Sequence, residues 1–231
     1  MNARVQGLLN HENWIGGLPP DVRAELISRC TTIDVPAGRE LGRAGEPCPG
    51  IYQVVQGHLK LLGRQEDGRQ VLITVYAAGN CFAETTIVAR RAFNHTTQAL
   101  TATQVRLLPA AQFWDLYNQH RAIADALCFK FASAIGRQLA GREQRAAHRL
   151  GKRIALMLEN LCDHGGERYL DGSVLLPLPI TQTDIAEHFD VTRQTVQREM
   201  SEMKEAGLLT RQGDLWLIHD RQRLAVWNGK L

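Results

Sequence analysis

Within one short stretch the chain places Thr192, Arg193, Gln194, Gln197 and Arg198. An arginine can donate two hydrogen bonds to guanine O6 and N7, and a glutamine can pair with adenine N6 and N7. Such side chains meet base edges when they project from the N-terminal end of a recognition helix. The surrounding residues predict that setting. Thr181 is a helix cap, supported by Asp184 three residues on. A helix over Gln182 to Phe189 turns Ile185, Ala186 and Phe189 inward. Asp190-Val191 makes a tight turn, and Thr192 caps a second helix over Arg193 to Ala206 that buries Val196, Met200 and Met203. Gly207 ends it, and Leu208-Leu209 begins a strand. Two short helices with a tight turn between them form a helix-turn-helix. The plainer reading of the same polar residues is a solvated face on a structural helical hairpin.

Other chemistry has less support. Cys30, Cys48, Cys81, Cys128 and Cys162 are odd in number and form no CxxC pair. Neither a zinc ribbon nor a disulfide framework is expected. There is no GxSxG, HExxH, P-loop or GxGxxG context, so an enzyme is the rival class without a motif. A metal-dependent cupin needs clustered His and Glu ligands, whereas the β part offers His58 and His95, far apart in sequence. The 231 residues carry 44% hydrophobic and 22% charged side chains and a net charge of +3. That is ordinary globular composition, and too mildly basic to decide for nucleic acid. Arg137, Arg142, Arg145, Arg149, Lys152 and Arg153 face only Glu143 between them. No apolar run reaches the ~20 residues of a membrane span. Met1 to Glu25 lacks the apolar core of a secretory signal, so a cytoplasmic protein is expected.

The elements follow from spacing. Up to about residue 110 the chain reads as short strands punctuated by glycine: Ile51–Gln56, His58–Gly63, Gln70–Tyr76, and a pair within Gln98–Leu108. Glu66-Asp67-Gly68 is a hairpin turn signal. Many short strands suggest a barrel or jelly roll. A long helix follows, over about 112–145, with Ile123, Leu127, Phe131, Ile135 and Leu139 at steps of four. Periodicity leaves two readings open, a core-facing helix and a short dimer seam. Gly136 and Gly141 interrupt that helix and suggest a hinge, because glycine weakens a helix by ~1 kcal/mol. A further helix spans Leu150 to Cys162, and His164 to Gly172 reads as a polar loop.

Three stretches, taken in order, resemble the Crp/Fnr family of bacterial transcription regulators over about residues 20 to 220. GEPCPGIYQVVQGHLKLL is similar to the family's β-roll, GNCFAETTIV to its effector-pocket segment, and IAEHFDVTRQTVQREMSEMKEAGLL to its helix-turn-helix. The resemblance implies an α+β chain. Residues 1–111 would form a cyclic-nucleotide-binding-domain-like jelly roll, 112–145 a dimerisation helix and hinge, and 146–231 a winged helix-turn-helix. It favours the seam reading of Ile123 to Leu139. It implies a homodimer on palindromic DNA, working with RNA polymerase under a small-molecule effector. Thr192, Arg193, Gln194, Gln197 and Arg198 would face the DNA. Glu84, Thr85, Thr96, Thr97 and Gln138 would line the effector pocket, and Glu84 is equally readable as a retained structural residue.

Cyclic-nucleotide-binding relatives hold the phosphate with an arginine. Here that position falls near Phe93 or Asn94, and a buried phosphate needs a paired cation. Cyclic AMP is therefore not the expected effector. The cysteine spacing does not suit an iron–sulfur cluster. Haem is one candidate, with His11, His58, His95, His120, Cys48 or Cys81 as axial ligand. An exposed redox thiol and an unidentified small molecule are others. Phe82 to Glu84 and the missing arginine are similar to nitric-oxide-responsive denitrification regulators. The rival to DNA binding is a ligand-binding module acting through protein contacts.

Overall fold

The computed structural model describes residues 9–10, 13–64, 70–162, 167–176 and 178–228, and no side chain of residues 9–10 or 140–147. The Glu66-Asp67-Gly68 turn, His11, and the side chains of Arg142, Glu143 and Arg145 therefore lie outside the described residues. The chain divides into two compact units, Asn10–Ala134 and Ile135–Leu231.

In the first, a short strand β1 (Leu9–Asn10), a 3-10 turn (Ile15–Gly17) and helix α1 (Pro20–Ser28) lead into the strands β2 (Thr31–Val35), β3 (Glu40–Gly42), β4 (Gly50–Gln56), β5 (Leu59–Arg64), β6 (Gln70–Tyr76) and β7 (Cys81–Phe82). Helix α2 (Glu84–Val88), β8 (Thr96–Ala99), β9 (Thr103–Pro109) and α3 (Ala110–Gln119) follow. One sheet runs β1-β6-β5-β8-β3 and the other β2-β9-β4-β7. Both are antiparallel throughout the described pairs. This is the expected jelly-roll-like domain.

Two clusters build its core. Val35, Tyr52, Val54, Leu59, Tyr76, Phe82, Phe93, Ala99 and Val105 join side chains from both sheets. Leu26, Ile51, Leu108, Phe113, Leu116, Ile123 and Leu127 join helices to the β4–β9 pair. Each buried Leu, Ile or Phe contributes roughly 1.5–3 kcal/mol. Strand β4 is buried from Gly50 to Val54, because sheet neighbours and helices cover both of its faces. The β4–β9 approach is so close that a Cβ on Gly50 would sit 2.0 Å from the Leu108 carbonyl oxygen.

Helix α4 runs Arg121–Ala147. It starts two residues past α3, because the chain is extended at His120. The expected interruption at Gly136 and Gly141 is corrected here. The helix passes through both glycines and breaks only at His148–Arg149. A cost of ~1 kcal/mol per glycine is small beside the cooperativity of a long helix. The stripe of steps of four is corrected in part. Ile123 and Leu127 are fully buried in the chain's own core, with Phe131 packed beside them, so a second copy cannot reach the first two. Ile135 and Leu139 are 60% and 57% exposed, and Phe129, on an adjoining face of the helix, is 76% exposed. At 100° per residue, steps of four drift off one face, so a single stripe serves the core first and the surface later.

The second unit continues with α5 (Leu150–Cys162), the short strands β10 (Glu167–Arg168) and β11 (Val174–Leu175), α6 (Gln182–Phe189), α7 (Arg193–Glu205), β12 (Leu209–Gln212), β13 (Leu215–Ile218) and α8 (Arg221–Val226). Its sheet order is β10-β11-β13-β12. Ile154, Leu158, Leu161, Ile185, Val196, Met200, Met203 and Ile218 are buried. Helix α8 follows the β12–β13 hairpin, capped by Asp220, whose carboxylate accepts from the Arg223 N–H at 2.9 Å.

Candidate nucleic-acid interface and effector segment

The helix-turn-helix is fixed by its caps. The Thr181 hydroxyl oxygen accepts from the Asp184 N–H at 3.1 Å, and the Asp184 carboxylate accepts from the Thr181 N–H at 2.9 Å. This reciprocal pair satisfies two of the orphan donors of α6. Asp190 takes a left-handed conformation, φ 54°, which turns the chain sharply between the helices. Thr192 then caps α7, its hydroxyl accepting from Thr195 N–H at 3.2 Å. Val196, Met200 and Met203 hold the inner face of α7 against the core. That rotation leaves Thr192, Arg193, Gln194, Gln197 and Arg198 all exposed on the outer face. The structure thus brings the five together. Arg198 is held by a neighbouring carboxylate, Glu199, at 3.2 Å.

Arg193 also edges a cavity of about 460 Å³, lined by Thr181, Gln182, Thr183, Arg211 and Trp216. The Arg211 guanidinium lies 4.6 Å from the Trp216 ring centre and donates to the Ile180 carbonyl at 3.3 Å. Trp216 Nε1 donates to the same oxygen at 2.9 Å. Two guanidiniums therefore flank the N-terminus of α6, where backbone N–H groups favour an anion. Sequence reading missed Arg211. Its signal was the hairpin: Arg211 is the cross-strand partner of Trp216.

In the first unit Glu84 opens α2 and is buried. Its Oε1 accepts from Trp14 Nε1 at 2.7 Å and from Lys130 Nζ at 2.8 Å. Lys130, buried on α4, also donates to the Cys81 carbonyl at 2.7 Å. The other expected pocket residues make no bond to Glu84. Thr85 is exposed, Thr96 accepts from Ala44 N–H at 3.3 Å, Thr97 is buried, and Gln138 is exposed on α4. Sequence reading missed both Lys130 and Trp14. They lie 46 and 70 residues from Glu84, so no local pattern connects them.

Phe93, where the resemblance expects an arginine, is buried in the aromatic core, while Asn94 is exposed. A Cβ on Gly42 would meet the Phe93 ring at 2.7 Å. Phe82 is stacked between Tyr52 and Tyr76, with ring centres 5.0 Å apart on each side. Burial pushes the Tyr52 phenol up to about 12. It also raises the Cys81 and Cys48 thiols and lowers the His58 and His95 imidazoles. Cys48 donates to the Gly50 carbonyl at 3.2 Å, and His120 pairs with Glu25 at 2.9 Å. Both groups are thus engaged within the chain. Among the described residues, no three His, Cys, Asp or Glu side chains gather as a metal site requires. Among the described residues, no helix is long and apolar enough to cross a membrane.

An antiparallel jelly-roll domain followed in the chain by a helix-turn-helix is the architecture of a transcription regulator. Two family models match in that order: the cyclic nucleotide-binding domain over residues 32–120 and the Crp-like helix-turn-helix domain over residues 152–227. The chain belongs to the Crp/Fnr family of transcription regulators. It is 27% identical over 221 residues to a CRP-like cAMP-activated global transcriptional regulator of Mycobacterium tuberculosis, covering 90% of this chain and 93% of that one. It is 27% identical over 177 residues to the nitrogen fixation regulation protein FixK of Rhizobium meliloti, covering 74% of each. Among solved structures, FixK2 from Bradyrhizobium japonicum shares the fold with a TM-score of 0.69 at 20% identity, covering 87% of this chain and 98% of that one.

Proposed function

We propose that this chain is a homodimeric, sequence-specific DNA-binding regulator whose β-roll senses a small molecule other than cyclic AMP. The observation that carries the reading is the outer face of α7. Thr192, Arg193, Gln194, Gln197 and Arg198 are all in water at the N-terminal end of a capped helix. That is the end of a recognition helix that reaches base edges. Arg193 and Arg198 read guanines, Gln194 and Gln197 tune adjacent positions, and Arg211 meets the DNA backbone.

Residues 1–111 act as sensor, 112–145 as dimerisation helix and 146–231 as DNA-binding domain. The seam uses the exposed side of α4: Cys128, Ala132, Ile135 and Leu139, spaced 4-3-4 as in a coiled coil, flanked by Phe129. A two-fold dimer presents its recognition helices to two half-sites of a palindrome. RNA polymerase as a partner and a cytoplasmic setting belong to the same reading, supported by the likeness to Crp/Fnr regulators.

Two observations weigh against cyclic AMP. Glu84 is spent on Lys130 and Trp14, and Phe93 offers a phosphate no charge. Phe82 to Glu84 and the missing arginine support a redox or nitric-oxide subtype, with haem as its candidate cofactor. The test is selection of binding sites from random duplex DNA. An enriched palindrome is expected. Arg193→Ala should then cost ~1–3 kcal/mol and relax one base position. No enriched sequence would favour a module acting through protein contacts.

A further inference from the structure

Helix α2 ends in an unusual way for its sequence. Arg91 N–H donates to the Thr86 carbonyl at 3.0 Å, and Arg90 N–H donates to the Ile87 carbonyl at 3.1 Å. This is the pair of bonds that closes a helix through a left-handed residue, a place glycine normally takes. Here Arg90 takes it, at φ 52°. Strained backbone of this kind persists where its surroundings fix it, and it is a pointer to function.

The strain has a consequence for charge. It sets two guanidinium-bearing residues side by side on the rim of a cavity of about 440 Å³. Among the described residues, neither arginine has a carboxylate partner. The Arg90 guanidinium lies over the Trp114 ring instead, 5.4 Å from its centre. The walls are mostly apolar, formed by Pro47, Cys48, Ile87, Ala110 and Trp114. The Thr86 hydroxyl, in the same wall, has no hydrogen-bond partner among the described residues. A cavity of this size, apolar inside with a few convergent polar groups, has the form of a small-molecule site. Paired guanidiniums without counter-charge select an anion, and their planar forks suit a carboxylate or phosphate.

We propose that the cavity at the C-terminal end of α2 binds a small aromatic anion, its acidic group held by Arg90 and Arg91 and its ring lodged against Trp114 and Ile87. The site is separate from the aromatic interior of the β-roll, which Tyr52, Phe82, Tyr76 and Phe93 fill. It bears on regulation through α2 itself. The helix is five residues long, and its first residue, Glu84, is clamped to Lys130 of α4. An anion at one end of α2 therefore loads the link to α4 at the other. That regulatory consequence rests on the regulator reading above, whereas the binding does not.

The experiment is calorimetric titration of the full chain with 1-naphthoate, with neutral 1-naphthylmethanol as control. One naphthoate per chain is expected, with quenching of Trp114 emission and weakening as salt rises. The Arg90→Gly/Arg91→Gln variant should bind at least tenfold more weakly. Glycine accepts the left-handed position freely, so this variant should unfold at the same temperature or higher. Naphthoate binding that is absent, undiminished in the double variant, or matched by the neutral control overturns the assignment. Failure of DNA site selection leaves this result intact, so the two readings fail separately.

Discussion

The contact between Glu84 and Lys130 allows the sharpest quantitative test. Both side chains are nearly dry, at 4% and 9% exposure, and their charged atoms are 2.8 Å apart. At that separation of 2.8 Å, and an effective dielectric of ~20, the Coulomb attraction is about 6 kcal/mol. Desolvation of the two ions offsets most of it, so the pair itself adds little net stability. Removing one partner is different, because the other ion is left buried and uncompensated, at a cost of roughly 3–5 kcal/mol. Glu84→Gln keeps the shape and an acceptor for Trp14 but strips Lys130 of its counter-charge. With ~2.1 cal/mol/K of unfolding entropy per residue, that loss lowers the unfolding temperature of the first unit by roughly 10–20 °C. Replacing both partners, as Glu84→Gln/Lys130→Met, should recover most of the loss, since an apolar substitute for a buried pair is often neutral. The assay is calorimetric unfolding of the wild type, the two single variants and the double variant as a cycle. A Glu84→Gln loss under ~1 kcal/mol, or a double variant no better than the singles, refutes the account of a buried, mutually dependent pair.

Four further outcomes are expected. Ile135→Glu/Leu139→Glu places two like charges per chain in the proposed seam and should yield monomers by light scattering. Mild oxidation of the wild type should cross-link chains through exposed Cys128, and an unlinked dimer would move the seam elsewhere. Arg211→Ala should weaken DNA binding about equally on all sequences and reduce the salt slope by about one charge, read from affinity against salt concentration. A base-specific loss would instead make Arg211 a reader of sequence. Burial holds the His58 and His95 pKa values low, so between their folded values and about 6.5 the unfolded chain binds more protons. Their contribution is complete above that range and is lost as pH falls through it. The first unit's unfolding temperature should therefore drop as pH falls below about 6.5. His58→Gln with His95→Gln should flatten that drop, and an unchanged slope would assign it to other groups. Glu25, held low by hydrogen bonds from His120 and Arg29, acts in a separate window below its ordinary 4.5.

The second unit was the more legible part of the sequence. Its determinants are local: the Thr181–Asp184 cap, the Thr192 cap, Gly207 at φ 70°, and the period of Val196, Met200 and Met203. Helix α6 falls on the expected bounds, and α7 ends one residue early. Strand β6 also matches, whereas β4, β5, β8 and β9 shift by one or two residues. The stripe on α4 shows why periodicity runs out. Ile123 and Ile135 look alike in sequence, yet one is buried in the core and the other is 60% exposed. Only the position of the sheet decides which. The Trp14–Glu84–Lys130 network and the Arg90–Trp114 stack join residues distant in the chain, so they became visible only with the fold in hand.

The four tryptophans are not scattered at random among these features. Trp14 is bonded to Glu84, Trp114 lies under Arg90, and Trp216 lies under Arg211. Trp227 is partly buried, its indole N–H unbonded. An indole changes its emission with nearby charge and with solvent, so each should report its own neighbourhood. A set of chains keeping one tryptophan apiece, with phenylalanine at the rest, would turn the molecule into its own instrument. Light from Trp14 would follow the α2–α4 clamp, light from Trp114 the anion cavity, and light from Trp216 the arrival of DNA, with no dye attached. The order in which those three signals change after mixing would give the direction in which a message travels through the chain.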